Sequence, residues 1–172
     1  TAGLDVSRPV EEATPLSLGL TIKREVYPFG EGCDKGECSP IQSGKAGEKV
    51  NVRLTLTLPN DRYFLAASDY IPAGAEILDT TLKTTELGPG TEPGVEQVFN
   101  PRRPFAKGWG WWLFNQPQIY DDHIAWTAEN LPAGTYELTY TLALLLPGEF
   151  RVLPARTWQL YFPETQANSE GS

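Results

Sequence analysis

Three short stretches hold the residues able to do chemistry. Cys33 and Cys38 stand in the glycine-rich segment 28–47, P-F-G-E-G-C-D-K-G-E-C-S-P-I-Q-S-G-K-A-G. Asp121, Asp122 and His123 are consecutive, and His123 is the one histidine of the chain. W-G-W-W-L-F at 109–114 gathers Trp109, Trp111, Trp112 and Phe114, interleaved with glycine.

The cysteines read as a local disulfide closing a small ring, with two solvent-facing thiols in a reducing compartment as the alternative. A ring that small adds only modest stability through chain entropy, on the order of 2 kcal/mol, and mainly holds the loop's shape. A metal site would need further soft ligands nearby, and the sequence places none there. On a strand, Asp121 and His123 share a face, which makes an acid–base pair or a metal-dependent hydrolase conceivable. The plainer reading is a turn or strand-edge cluster with satisfied hydrogen bonds. No G-x-S-x-G elbow, phosphate-binding loop or H-E-x-x-H occurs, and the scattered carboxylates give no glycosidase pair. The expectation is a non-enzyme without cofactor or metal.

The aromatic run has two readings. Part of it projects and contacts a neighbouring domain, as exposed aromatic patches do. Alternatively its rings fold back and cap the end of the core.

Composition limits what can position these residues. The chain has 172 residues, 40% of them hydrophobic, enough for one sizeable core. Its formal charge is −8, and Arg102, Arg103 and Lys107 form too small a basic cluster for phosphate binding, so nucleic acid is excluded as a partner. No run fits a signal peptide or a membrane span, so no direct membrane insertion is expected. Methionine is absent even at position 1, and an excised piece of a larger protein is expected. The 16 glycines and 15 prolines fall between alternating runs, which favours an all-β domain rich in turns.

The organising run is 131–161. Tyr136, Leu138, Tyr140, Leu142, Leu144 and Leu146 fall on every second position, with Glu137, Thr139 and Thr141 between them. That period of two marks a strand with one buried face. Leu145 breaks the alternation, so both faces should be covered there. Phe150 and Val152 begin another alternating run, followed by Trp158, Leu160 and Phe162. Upstream, Leu16, Leu18, Leu20 and Ile22 give a first strand. Val50, Val52, Leu54, Leu56 and Leu58 give the cleanest amphipathic one. Tyr63 to Ala67 is a short central strand, Asp69 to Gly74 a turn, and Ala75 to Leu82 a weaker strand. Residues 84–118 form a long irregular aromatic loop, and 119–128 a further strand. The expected architecture is a single antiparallel β-sandwich of roughly eight strands. Residues 1–15 are a linker or frayed entry, 16–163 the sandwich, and 164–172 a disordered tail.

Six blocks in order carry a family resemblance: G-E-K-V-N-V-R-L-T-L-T-L-P (47–59), D-Y-I-P-A-G-A-E (69–76), D-D-H-I-A-W (121–126), L-P-A-G-T-Y-E-L-T-Y (131–140), P-G-E-F-R-V-L-P-A-R (147–156) and Y-F-P-E (161–164). From about residue 16 onward the chain resembles the C-terminal macroglobulin-like domain of bacterial alpha-2-macroglobulins. The resemblance implies a macroglobulin-like, immunoglobulin-like sandwich within a large extracytoplasmic protein, periplasmic or at the cell surface, that traps proteases. It implies a non-catalytic terminal domain that packs near a thioester domain and helps shield the thioester. The thioester motif C-x-E-Q is not in this chain, and C-D-K-G-E-C at 33–38 does not fit it. Two positions depart from the family pattern. Tyr120 stands where an arginine usually precedes the two aspartates, and Thr165-Gln166 follow Y-F-P-E where glycine is common. The expected partners are neighbouring domains of the parent chain, above all the thioester domain, and target proteases through the parent. Two other readings compete. In a carbohydrate-binding module, Trp109, Trp111 and Trp112 would form a stacking platform. In a generic cell-surface β-sandwich, the domain would be a spacer.

Overall fold

A computed structural model describes residues 15–30, 38–78 and 110–171. Ten strands run through them: β1 (Leu16–Leu18), β2 (Thr21–Pro28), β3 (Lys49–Leu58), β4 (Arg62–Tyr70), β5 (Ala75–Ile77), β6 (Gln118–Ile119), β7 (His123–Leu131), β8 (Gly134–Leu144), β9 (Arg156–Gln159) and β10 (Gln166–Asn168). They form two sheets, ordered β1-β10-β9-β4-β7-β6 and β2-β3-β8-β5, with every pairing antiparallel. The expected all-β antiparallel sandwich is what forms.

Alternation explains the layering. Val50, Val52, Leu54 and Leu56 of β3 lie opposite Leu142, Tyr140, Leu138 and Tyr136 of β8, so both strands turn one apolar face inward. Leu65 and Ala67 of β4, with Ile124, Trp126 and Ala128 of β7, face them from the other sheet. Cross-strand rows of this kind build the dry interior, and a Leu54→Ala truncation there would cost about 2–5 kcal/mol. The hydroxyl of buried Tyr136 donates to the Pro132 carbonyl four residues upstream, at 2.7 Å, which pins the β7–β8 turn.

Several expected boundaries move. The first strand, expected to run through Leu16 to Ile22, is two strands in different sheets. Gly19, at φ 80°, makes the break, and its carbonyl accepts from Arg62 Nη2 at 2.8 Å. Leu16 and Leu18 are consequently exposed, while Leu20 and Ile22 enter the core. Leu145 and Leu146 are not covered on both faces. β8 ends at Leu144, and both leucines face solvent. Phe150 and Val152 lie outside any strand, and Leu160 and Phe162 are exposed past the end of β9, where Thr157 and Gln159 point inward instead.

The strand expected at 119–128 is a hairpin of β6 and β7 turning at Asp121-Asp122. The expected disordered tail contains β10. Gln166–Asn168 pairs with both β1 and β9, Ala167 is buried, and Ser169 Oγ accepts from the Ala155 amide at 3.0 Å. Polar letters concealed that strand because its backbone ladder holds it in place. Most of the long aromatic loop, 79–109, lies outside the described residues, as do 1–14, 31–37 and Ser172.

Candidate functional site

The aromatic segment returns to the sandwich at Gly110. That glycine has φ 77°, and a Cβ built on it would lie 2.5 Å from Tyr136 Cδ1. Only a residue without a side chain lets the backbone turn so close to that ring. A 3₁₀ turn, Trp111–Leu113, follows, closed by the Leu113 amide donating to the Gly110 carbonyl at 3.0 Å. Phe114 then dives inward, 7% exposed, and meets Tyr136 edge to face with ring centroids 6.1 Å apart. Trp112 stays outside, 51% exposed. The Asn115 amide donates to the Thr127 carbonyl at 2.8 Å, and Asn115 Nδ2 to Thr127 Oγ1 at 3.0 Å, which fixes the segment along β7.

The four aromatics therefore part company. Phe114 belongs to the core and is not available to a neighbour. Trp112 sits on a turn anchored from below by that same phenylalanine. Trp109 and the Trp111 side chain lie outside the described residues.

A second exposed aromatic group, not foreseen from the sequence, lies where β4 begins. Phe64 has φ 52°, a left-handed backbone rare for a bulky residue and a mark of local strain. Its carbonyl accepts from the Leu160 amide at 2.8 Å. Its ring meets Tyr161 edge to face at 5.2 Å, and both rings are exposed, as are Tyr63, Leu160 and Phe162. The visible signal was Y-F-L next to the P-N-D turn, too weak to separate an outward aromatic from a core one.

At the β6–β7 turn, the pair that forms is Asp122 with His123, Oδ1 to Nδ1 at 2.6 Å. The hydrogen bond from His123 holds the Asp122 carboxyl below its ordinary range. The imidazole stacks on Tyr120, centroids 4.3 Å apart at 10°, and lies 5.4 Å from Tyr70. Tyr120 thus supplies a flat partner for the histidine. Among the described residues no three His, Cys, Asp or Glu side chains come together. Cys33 lies outside the described residues, so its pairing with Cys38 stays an expectation from the sequence.

Among the described residues the most deeply buried charged group is Asp69, in a stretch whose sequence predicts a turn. Asp69 is 0% exposed and projects from β4 into the core. Arg24 Nη1 donates to its Oδ1 at 3.1 Å and also to the Leu153 carbonyl at 2.9 Å. The Tyr140 hydroxyl donates to its Oδ2 at 2.7 Å. Burial pushes the Asp69 carboxyl above its ordinary range, partly offset by the Arg24 charge and the Tyr140 hydrogen bond. Burial, then the Asp69 charge, pushes the Tyr140 hydroxyl well above its ordinary value. The cluster ties the two sheets together and has no free face for a substrate.

The architecture and these surfaces can be set beside known proteins. Residues 19–164 match the family model described as the bacterial alpha-2-macroglobulin MG10 domain. Native Escherichia coli alpha-2-macroglobulin, from domain MG7 to the C-terminus, is similar over 94% of this chain and 24% of its own, at 19% identity and TM-score 0.69. Trypsin-activated alpha-2-macroglobulin from the same organism is similar over 93% of this chain and 10% of its own, at 18% identity and TM-score 0.68. Salmonella alpha-2-macroglobulin reacted with methylamine is similar over 92% of this chain and 9% of its own, at 19% identity and TM-score 0.64. No curated protein matches the chain. The chain thus spans a quarter or less of the length of these structures, and at such identities they speak for the fold. With the family model covering nearly the whole sandwich, the chain belongs to the bacterial alpha-2-macroglobulin MG10 domain family.

Proposed function

We propose that the chain is a non-catalytic module of a larger, extracytoplasmic, protease-trapping protein, and that it packs against that protein's thioester domain and helps shield the thioester. The single observation that supports this best is Trp112, an indole 51% exposed on a turn whose next side chain but one is locked in the core. A large ring held rigidly outward loses little conformational entropy on docking, which is how interface anchors work. The strained Phe64 and its partner Tyr161 add a second apolar contact. Target proteases would be met by the parent and not by this module.

Hydrogen exchange at the 110–114 amides tests the contact. Protection gained in the parent over this chain alone supports it, and equal exchange overturns it. In the parent, Trp112→Ala should also speed the loss of the thioester to methylamine. An unchanged methylamine rate would remove the shielding role while leaving a purely structural one.

A further inference from the structure

The outward face of the six-stranded sheet carries a groove that neither the core nor the proposed contact uses. Its volume is ≈ 230 Å³, and Ser68, Tyr70, Arg156, Trp158, Pro163 and Gln166 line it. Strand register brings them together. Arg156 lies opposite Ser68 of β4, and Trp158 opposite Ala66 of β4 and Gln166 of β10. Neighbouring strands are about 4.8 Å apart and same-face residues roughly 6.7 Å apart along a strand, so these groups fit within one small ligand's reach. Ser68 is too small to fill the space between Tyr70 and Trp158, which leaves the depression open.

Two features of the lining define its chemistry. Among the described residues, no hydrogen bond engages the hydroxyls of Ser68 and Tyr70, the Arg156 guanidinium, the Trp158 indole N–H or the Gln166 side-chain amide. The set is rich in donors and contains one cation and no carboxylate. Beside it stands an indole, whose face accepts the C–H side of a sugar ring. In addition, β4, β9 and β10 are each paired on both sides, so no open backbone edge is offered. An extended peptide draws much of its affinity from such an edge, and here it would find none. A ligand recognised only through side chains, by ring stacking and by hydroxyl and carboxylate hydrogen bonds, fits better.

We propose that this groove binds an acidic saccharide. The Trp158 indole takes the apolar face of one pyranose ring. Arg156 takes its carboxylate, and Ser68, Tyr70 and Gln166 bond its hydroxyls. The chain's charge of −8 opposes approach of an anion, so the selectivity rests on Arg156 locally and not on the overall field.

Affinity electrophoresis of this chain tests the site, in gels holding polygalacturonate, alginate or hyaluronan, with neutral xylan and poly-glutamate as controls. Retardation by at least one acidic polysaccharide and by neither control is expected. Trp158→Ala should weaken it about tenfold or more through lost stacking. Arg156→Gln, at an exposed position that leaves folding intact, should weaken it about tenfold through the lost charge-assisted bond. Near-UV circular dichroism guards against misfolding of the Trp158 variant. No retardation in any of the three acidic gels overturns the proposal. So does equal retardation by poly-glutamate, which would mean peptide or general anion binding, or retardation unchanged in Arg156→Gln.

Discussion

The Tyr140 hydroxyl donates to Asp69 Oδ2 at 2.7 Å across the interior, from β8 of one sheet to β4 of the other. Arg24, on β2, reaches the other oxygen of the same carboxylate. Hydrophobic packing holds two layers together without fixing how they sit, whereas this triad is directional and specifies one alignment.

Removing one partner should be costly, because it strands a charge in the core. Asp69→Ala is expected to lose about 3–5 kcal/mol, since buried Arg24 would then lack its counter-charge. Tyr140→Phe is expected to lose about 1–3 kcal/mol through the unsatisfied oxygen. The double variant Arg24→Met/Asp69→Leu is expected to sit near the original stability, as replaced buried pairs often do. Urea unfolding of the four proteins checks all three. An Asp69→Ala midpoint equal to the parent's would mean that the pair contributes nothing.

The same triad gives stability a pH dependence of definite sign. The folded-state pKa of Tyr140 is raised well above its ordinary value. Its contribution is therefore fully present below the unfolded pKa of about 10 and is lost as pH rises through the folded value. The urea midpoint should fall above pH 10, and Tyr140→Phe should flatten that fall. Asp69 is raised as well, so its contribution is complete below about pH 3.9 and declines as pH rises through its folded value. Asp69 thus does not drive acid unfolding, and Asp69→Asn should leave the acid limb no shallower than before. A shallower limb would place the folded pKa below the unfolded one.

Sequence alone made the sandwich legible because alternation is strongest where one face is wet and the other dry, as in Val50 to Leu58 and Tyr136 to Leu142. It hid the triad for a definite reason. Ile22, Arg24 and Val26 share one parity, so a strand continued past Ile22 would have put an arginine in the core and signalled a buried partner. Ending that strand at Ile22 concealed the signal. Asp69 shares the parity of Leu65 and Ala67, yet D-Y-I-P-A-G reads as a turn because aspartate and proline ordinarily make one. β10 escaped for a related cause: a strand of three residues has no period to detect. The aromatic run stands out by its composition, but composition cannot say which rings turn inward. That depended on Gly110 approaching Tyr136, a contact between segments remote in sequence.

Phe114 and Trp112 should separate cleanly on substitution. Phe114→Ala empties a core position against Tyr136 and is expected to cost about 3–5 kcal/mol. Trp112→Ala, at an exposed ring, is expected to cost this chain under about 1 kcal/mol. Thermal and urea unfolding of the two variants check the difference. A large loss from Trp112→Ala would mean that the indole braces this domain and is not held for a neighbour.

Gly110→Ala tests what places that turn. The substitution adds a methyl group to a backbone at φ 77°, within 2.5 Å of a Tyr136 ring carbon. Left-handed strain alone costs on the order of 1–2 kcal/mol, and displacement of a buried aromatic adds to it. Stability should therefore fall by more than 1 kcal/mol, and the near-UV signal of the aromatic cluster should change. Tyr136→Leu in the same background should recover part of the loss by vacating the space the methyl needs, despite giving up the hydroxyl bond to Pro132. A loss that Tyr136→Leu leaves untouched would assign the whole effect to the backbone.

The loop cysteines carry a test of redox state. If Cys33 and Cys38 are joined, the intact mass rises by two hydrogens on reduction, and unreduced protein gives no thiol titre even when denatured. The ring they would close is short, so reduction should lower stability by only about 2 kcal/mol, the chain-entropy value for a small loop. The sandwich should remain folded, because both cysteines fall in the connection between β2, which ends at Pro28, and β3, which starts at Lys49. A full thiol titre in oxidised, denatured protein would remove the ring. It would also remove the one sequence-based argument for an oxidising compartment that does not depend on family membership.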